Sequence, residues 1–214
     1  MKASRRAVFV DRDGVINRMH YDSEFGVVDS PSNPDQFELL PGVARAVRAL
    51  NEVGLAVVVV SNQPGIAKGK FSGALLKAME EKMCSELASG GGRLDGIYNC
   101  LHHPDSVVDE YRVRCECRKP QPGLLRKAAI EMSIDLTSSY TVGDGVIDIA
   151  AGKAAATTTL FVNSRKCYNC DNLIKHRTWP DYIVSDLTEA TAVILSLEAG
   201  DIAEAESFRL KCNQ

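Results

Sequence analysis

Four apolar runs in this chain stop abruptly at polar or charged residues. Ala7-Val8-Phe9-Val10 runs into Asp11-Arg12-Asp13-Gly14, and Leu55-Ala56-Val57-Val58-Val59-Val60 into Ser61-Asn62-Gln63. Gly96-Ile97-Tyr98 runs into the Cys100 region and on to Lys119, and Tyr140-Thr141-Val142 into Gly143-Asp144. Short unbroken runs rich in Val read as strands buried on both faces, the signature of a parallel sheet. Further strands are expected at Thr158 to Val162 and Tyr182 to Val184. Helical spacing takes over between the strands. Val43, Val47, Leu50 and Val53 share one face, with Pro41 at the start and Gly54 as the stop, and Leu75, Leu76, Met79, Met83 and Leu87 form a second apolar stripe closed by Gly90-Gly91-Gly92. Cys84 lies within that second helix and is read as packing. Helices are also predicted over Gly123 to Met132, Val146 to Ala155 and Leu187 to Leu197. The alternation predicts an α/β fold: a doubly wound parallel sheet with helices on both faces, one domain spanning residues 1–214, no internal repeat and no stretch long enough for a large cap domain.

In such a sheet the strand exits lie on one edge, where ligands bind. Asp11, Asp13, Ser61, Asn62, Lys119 and Asp144 are therefore expected to converge. Asp11 and Asp13, two apart in extended backbone, point the same way. A carboxylate can attack phosphorus, and a neighbouring carboxyl can move protons to a leaving group and from water. Ser61 offers a hydroxyl and Asn62 an amide to phosphate oxygens, with Gln63 next to them, and Lys119 brings a point charge. Several carboxylates packed together repel one another without a cation, and Asp11, Asp13 and Asp144 supply hard oxygen ligands suited to magnesium.

A second group of residues stands between Ile97 and Lys119: Cys100-Leu101-His102-His103-Pro104, then Cys115-Glu116-Cys117-Arg118-Lys119-Pro120. Two close pairs of soft ligands separated by a polar stretch fit a tetrahedral zinc site. By spacing alone either His102 or His103 serves as the imidazole ligand. Four protein ligands close the coordination sphere, so a structural ion is expected, one that staples residues 100–120 and presents Arg118 and Lys119 to the phosphate.

Asp-x-Asp-Gly-Val, a strand ending in Ser61-Asn62-Gln63, Lys119, and Gly143-Asp144 with Asp148 four residues on resemble, in that order, the haloacid dehalogenase superfamily of phosphohydrolases. The likeness runs from about Ala7 to Val162. It implies Asp11 as nucleophile, Asp13 as general acid and base, Ser61 as phosphate ligand, Lys119 as charge clamp and Asp144 as metal ligand. Asp148 reads equally well as a carboxylate of a helix's first turn or as an outer-shell metal residue. The zinc loop narrows the resemblance to the D-glycero-D-manno-heptose 1,7-bisphosphate 7-phosphatases and the related histidinol-phosphate phosphatases. By that likeness the zinc ligands are Cys100, His102, Cys115 and Cys117. The implied substrate is a small phosphorylated sugar, with a heptose bisphosphate leading and histidinol phosphate as the alternative. A phosphosugar-binding protein without turnover is a third reading, opposed by the presence of Asp11, Asp13, Lys119 and Asp144 together.

Two features depart from the family. Heptose phosphatases often carry Lys after the metal-binding Asp of the last motif, where this chain has Gly145. The segment from Asn17 to Gln36, with Pro31, Pro34, Arg18, His20 and Tyr21, is longer than the resemblance implies and is expected to form a lid over the phosphate pocket. Cys167 and Cys170 have the spacing of a metal or redox pair, with His20 and His176 elsewhere and Cys212 near the end, but two local thiols do not complete a site. Residues 163–180 are read instead as a loop insertion before the last strand.

Composition adds limits. The chain of 214 residues is 45% hydrophobic, enough for a substantial core. Its 25 basic and 28 acidic side chains leave a formal charge of -3, without the basic excess of a nucleic-acid binder. Met1-Lys2-Ala3-Ser4-Arg5-Arg6 leads straight into the first strand, and no apolar stretch reaches membrane-spanning length, so a cytoplasmic protein without a membrane partner is expected. Seven cysteines, an odd number at metal-like spacing, fit a reducing compartment. A monomer is favoured.

Overall fold

A computed structural model of the chain describes residues 5–24, 26–162 and 173–206. Its centre is a six-stranded sheet in the order β5-β4-β1-β6-β7-β8. The strands are β1 (Ala7–Val10), β4 (Ala56–Asn62), β5 (Gly96–Cys100), β6 (Tyr140–Gly143), β7 (Thr158–Val162) and β8 (Tyr182–Val184). Every pairing is parallel, with Phe9 level with Val58 on one side and Thr141 on the other.

Alternation along β1 and β4 divides the core. Val8, Val10, Val57 and Val59 face the layer of α1 (Val43–Glu52), α2 (Gly73–Ser89) and α5 (Leu187–Ala199), where Leu50, Met79, Met83 and Ile194 fill the space. Ala7, Phe9, Ala56, Val58 and Val60 face α3 (Gly123–Met132) and α4 (Val146–Ala154) through Leu124, Leu125, Ala128 and Ala151. All four residues of β1 are fully buried, as a central strand covered on both faces requires. Helix starts are fixed locally: the Ser72 side chain accepts from Leu75 N and the Asp186 side chain from Glu189 N. Helix α3 is found with the predicted bounds, while α4 ends one residue early at Ala154 and α5 runs on two residues to Ala199. A short helix α6 (Ile202–Glu206) follows it.

The segment from Asn17 to Gln36 is not a plain loop. It contains an antiparallel hairpin of β2 (His20–Asp22) and β3 (Val27–Asp29), followed by a single 3-10 turn at Pro34–Gln36 capped by Asn33. Alternation over three residues on each arm is too short to read from sequence. Cys167, Cys170 and Cys212, and residues 163–172 of the predicted insertion, lie outside the described residues. Among the described residues no helix is long and apolar enough to cross a membrane.

Candidate active site

The central strand delivers Asp11 to the carboxyl edge of the sheet, where its N–H donates to Val142 O at 3.0 Å. Beyond it the chain turns at Gly14, whose φ of 86° lies in the left-handed region. A Cβ there would sit 2.5 Å from Asp144 Oδ2, so the absent side chain is what lets the β1 turn and the β6 exit close on each other. Gly143 does the same one layer down, since its Cβ would fall 2.2 Å from the Cβ of Asp148.

Lys119 is the hub. It is almost completely buried, and its Nζ lies 2.8 Å from Asp11 Oδ1 and 2.5 Å from Asp148 Oδ1, while also donating to Val60 O at 2.8 Å. Asp148 is shared: its other oxygen, Oδ2, accepts from Gly145 N at 2.9 Å and so caps α4. The first-turn reading of this residue is met by the cap, and its Oδ1 is held on Lys119. Burial pushes the Asp11 carboxyl up to about 6, with the neighbouring Asp148 and Asp13 adding to the rise and Lys119 opposing it. Burial alone would lower the Lys119 ammonium, but Asp11 and Asp148 outweigh it and raise its pKa, so the lysine stays charged.

Oxygens of Asp11, Asp144 and Asp148 lie within 4.8 Å of one another. Three carboxylates around one point make a hard, anionic donor set that suits magnesium. Asp13, expected among these ligands, is turned elsewhere. Its Oδ1 accepts from Arg12 Nε at 3.1 Å, Arg12 Nη2 at 3.0 Å and Asn17 Nδ2 at 2.9 Å, and its Oδ2 from Gln63 Nε2 at 2.7 Å. Arg12, fully buried beside it, is a residue the sequence reading passed over as the variable position between two aspartates. Ser61 and Gln63 are buried neighbours joined at 2.9 Å, so the β4 exit reaches Asp13 through Gln63. Asn62 is expected to face phosphate, yet both ends of its amide are used by the backbone of Lys119: Oδ1 accepts from Lys119 N at 3.0 Å and Nδ2 donates to Lys119 O at 3.1 Å. It positions the lysine.

The zinc-loop residues assemble at the exit of β5. Cys117 Sγ lies 3.2 Å from both Cys100 Sγ and Cys115 Sγ, and Cys100 and Cys115 are 3.6 Å apart. His102 Nδ1 is 3.3 Å from Cys117 Sγ and 3.8 Å from Cys100 Sγ. These are not disulfide distances, which are about 2.05 Å. They approach the edges of a tetrahedron with Zn–S arms of about 2.3 Å, roughly 3.8 Å. Burial would raise the Cys115 thiol, but hydrogen bonds from Cys117, the Arg118 backbone and its other neighbours bring it down to about 7, while burial and the adjacent thiols push Cys117 up. Of the two histidines His102 lies in the cluster, while His103 Nδ1 accepts from Asp105 N at 3.1 Å, outside it. Arg118 Nη1 donates to the carbonyl of His102 at 3.2 Å, which ties the cluster to the residue before Lys119.

Comparison with known proteins agrees with this geometry. Residues 116–190 match the HAD-hydrolase-like family model. The D-glycero-β-D-manno-heptose-1,7-bisphosphate 7-phosphatase of Escherichia coli K12 is 45% identical over 159 residues, 74% of this chain and 79% of that protein. The enzyme of the same name from Photorhabdus laumondii is 43% identical over 166 residues, 77% of this chain and 84% of its own. Among solved structures, the D,D-heptose 1,7-bisphosphate phosphatase of B. bronchiseptica, complexed with magnesium and phosphate, superposes with a TM-score of 0.73 at 32% identity, covering 90% of this chain and 99% of that one. Fold and site together define a phosphatase of the haloacid dehalogenase type, a phosphoric monoester hydrolase. Within that class the chain belongs to the heptose-1,7-bisphosphate 7-phosphatase family.

Proposed function

We propose that this chain, acting as a single domain in the cytoplasm, removes the 7-phosphate of D-glycero-β-D-manno-heptose 1,7-bisphosphate during the making of nucleotide-activated heptose for surface glycans. The observation that carries the reading is Lys119 held between Asp11 and Asp148 at the sheet edge, with Asp144 beside them. That group can bind a phosphoryl anion next to an anionic nucleophile, the electrostatic problem of the reaction.

An oxygen of Asp11 attacks phosphorus in line as the bond to the sugar oxygen breaks, giving an aspartyl-phosphate. The Asp13 carboxyl gives its proton to the departing alkoxide. The resulting carboxylate then takes a proton from water, whose oxygen attacks the same phosphorus, releasing inorganic phosphate and restoring Asp11. Ser61 donates its hydroxyl to a phosphoryl oxygen, Lys119 and Arg118 neutralise charge, Gln63 holds Asp13 in reserve, and Asn62 fixes Lys119. Asp11, Asp144 and Asp148 would hold magnesium, which supplies Lewis-acid neutralisation of the phosphoryl oxygens. Cys100, His102, Cys115 and Cys117 would hold zinc in a closed, structural site.

The test is phosphate release across heptose 1,7-bisphosphate, histidinol phosphate and simple sugar phosphates, with magnesium present. A kcat/KM for heptose bisphosphate at least tenfold above all others is expected. Preference for histidinol phosphate would replace the reading.

A further inference from the structure

Arg12, between the two aspartates of the β1 exit, has no part in the chemistry described so far, yet its guanidinium is committed to one of them. Asp13 Oδ1 accepts from Arg12 Nε at 3.1 Å, Arg12 Nη2 at 3.0 Å and Asn17 Nδ2 at 2.9 Å, while Oδ2 accepts from Arg12 Nη2 at 3.0 Å and Gln63 Nε2 at 2.7 Å. Every partner is an N–H, so both oxygens are held as acceptors. A carboxylate accepts in this way, whereas a carboxylic acid would have to turn an O–H into these donors. The backbone sets the grip: Ile16 N and Asn17 N donate to Arg12 O at 2.8 and 3.1 Å, and Gly14 N donates to Asn17 O at 2.8 Å, so the two residues that hold Oδ1 are locked to each other. Arg12 is buried and ion-paired with Asp13, and Nη1 of the same guanidinium has no hydrogen-bond partner among the described residues. An apolar side chain would fill this place without a buried charge or an unmet donor, so packing does not account for the guanidinium. The two oxygens also differ in load. Oδ1 takes three donors, whereas Oδ2 takes two, one of them the neutral Gln63 amide, which makes Oδ2 the oxygen free to exchange a partner.

We propose that Arg12 is a positioning residue for the second half of the reaction, holding Asp13 as the base that takes a proton from the attacking water. The inference deepens the proposed function and rests on its aspartyl-phosphate. In that half the water oxygen bonds to phosphorus, the bond from phosphorus to the Asp11 oxygen breaks with its electron pair returning to Asp11, and the water proton passes to Asp13 Oδ2 in place of the Gln63 amide. Once protonated, Asp13 no longer suits the guanidinium fork; it leaves and carries that proton to the next departing alkoxide. The fork therefore serves hydrolysis of the aspartyl-phosphate and not its formation. Formation commits the substrate and sets kcat/KM, whereas hydrolysis enters kcat. Loss of the fork lowers kcat and KM together and leaves kcat/KM in place, a pattern that a general disturbance of the site does not give.

The experiment compares Arg12→Met, Arg12→Lys and the unaltered enzyme, all with magnesium, by steady-state kinetics on heptose 1,7-bisphosphate and by acid quench during turnover to count phosphate bound covalently to the protein. Arg12→Met is expected to lower kcat at least about tenfold with kcat/KM within about twofold, and to raise the share of chains trapped as phosphoenzyme. Arg12→Lys keeps the charge but loses the fork, and is expected to show the same split at a smaller size. Should Arg12→Met fail to fold, Arg12→Lys carries the test alone. Equal loss of kcat and kcat/KM without added phosphoenzyme, or no loss at all, overturns the Arg12 assignment and leaves the proposed function standing. If the unaltered enzyme does not hydrolyse heptose bisphosphate, the substrate reading falls, and the same measurements on 4-nitrophenyl phosphate decide Arg12 by the same criteria. If the unaltered chain releases phosphate from neither compound, the proposed function and this inference fall together.

Discussion

Lys119 and Asp148 form a buried ion pair of 2.5 Å between the residue before Pro120 and the first turn of α4, and the same carboxyl group caps that helix. The pair links two segments that chain order keeps apart. Removing one partner of a buried pair leaves an uncompensated charge, a cost of about 3–5 kcal/mol when nothing else relieves it. Here Asp11 remains on Lys119, so Asp148→Ala is expected to lose less, about 2 kcal/mol including the cap. Activity should fall at least about a hundredfold, because Lys119 is drawn wholly onto the nucleophile. Urea unfolding together with phosphate release measures both, and a fully active, fully stable variant would remove Asp148 from the site.

Asp11→Asn tests the nucleophile. An amide nearly preserves shape but cannot attack phosphorus, so turnover is expected to drop by roughly four orders of magnitude or more with the fold retained. Single-turnover phosphate release near the unaltered rate would exclude the aspartyl-phosphate.

Asp13→Asn separates proton transfer from attack. With its donors already supplied by Arg12, Asn17 and Gln63, the side chain must be released to serve the leaving group. Loss of the acid is expected to slow a sugar phosphate by about 10²–10⁴ while an aryl phosphate, whose leaving group needs no proton, is slowed far less. Equal slowing of the two substrates would count against the assignment.

Strands and helices were legible in the chain because their burial is two-sided and their periods clean: Ala7–Val10 and Thr158–Val162 appear with the boundaries expected from sequence. The gathering of Cys100, Cys115 and Cys117 with a histidine was legible too, since metal-like spacing is local, whereas His102 rather than His103 followed only from the family resemblance. The direction of individual polar side chains was not legible. Asn62 faces the backbone of Lys119 from a distant segment, and Asp13 is held by Arg12 and Asn17 close by in the chain and by Gln63 from the β4 exit, and no spacing rule encodes either arrangement. The hairpin of His20–Asp22 and Val27–Asp29 escaped for a different reason, its arms being too short for a period to show.

Asp181 gives a pH-dependent test away from the site. Burial would raise its carboxyl, but Lys153 at 2.6 Å and the two Thr159 donors at 2.7 and 2.9 Å outweigh burial and hold it below the usual carboxylate range. A carboxyl depressed in the folded state contributes stability that is present above its unfolded pKa of about 3.9 and is lost as pH falls through the lower folded value. Asp181→Asn is therefore expected to be the less stable protein at neutral pH and to converge on the unaltered one as pH drops below about 4. Parallel stability curves from pH 7 to pH 2 would show that the carboxylate contributes nothing ionic between α4 and the residue before β8.

Metal removal distinguishes the two proposed ions. Magnesium on a few carboxylate oxygens exchanges readily, whereas a closed site of three thiolates and an imidazole ties its ion to local folding. Brief treatment with a magnesium chelator is expected to abolish phosphate release reversibly without change in the circular dichroism. Cys117→Ser should act differently, because Cys117 touches Cys100, Cys115 and His102 at once. It is expected to lower zinc content well below one per chain and reduce thermal stability by several degrees. It should also expose residues 100–120 to hydrogen exchange. Activity should fall with it, through Arg118, whose guanidinium is held by the carbonyl of His102, and through the backbone of Lys119 next in the chain. A purified protein with far less than one zinc per chain, fully active and unchanged in melting temperature, would refute the staple and separate the thiol cluster from the phosphate site.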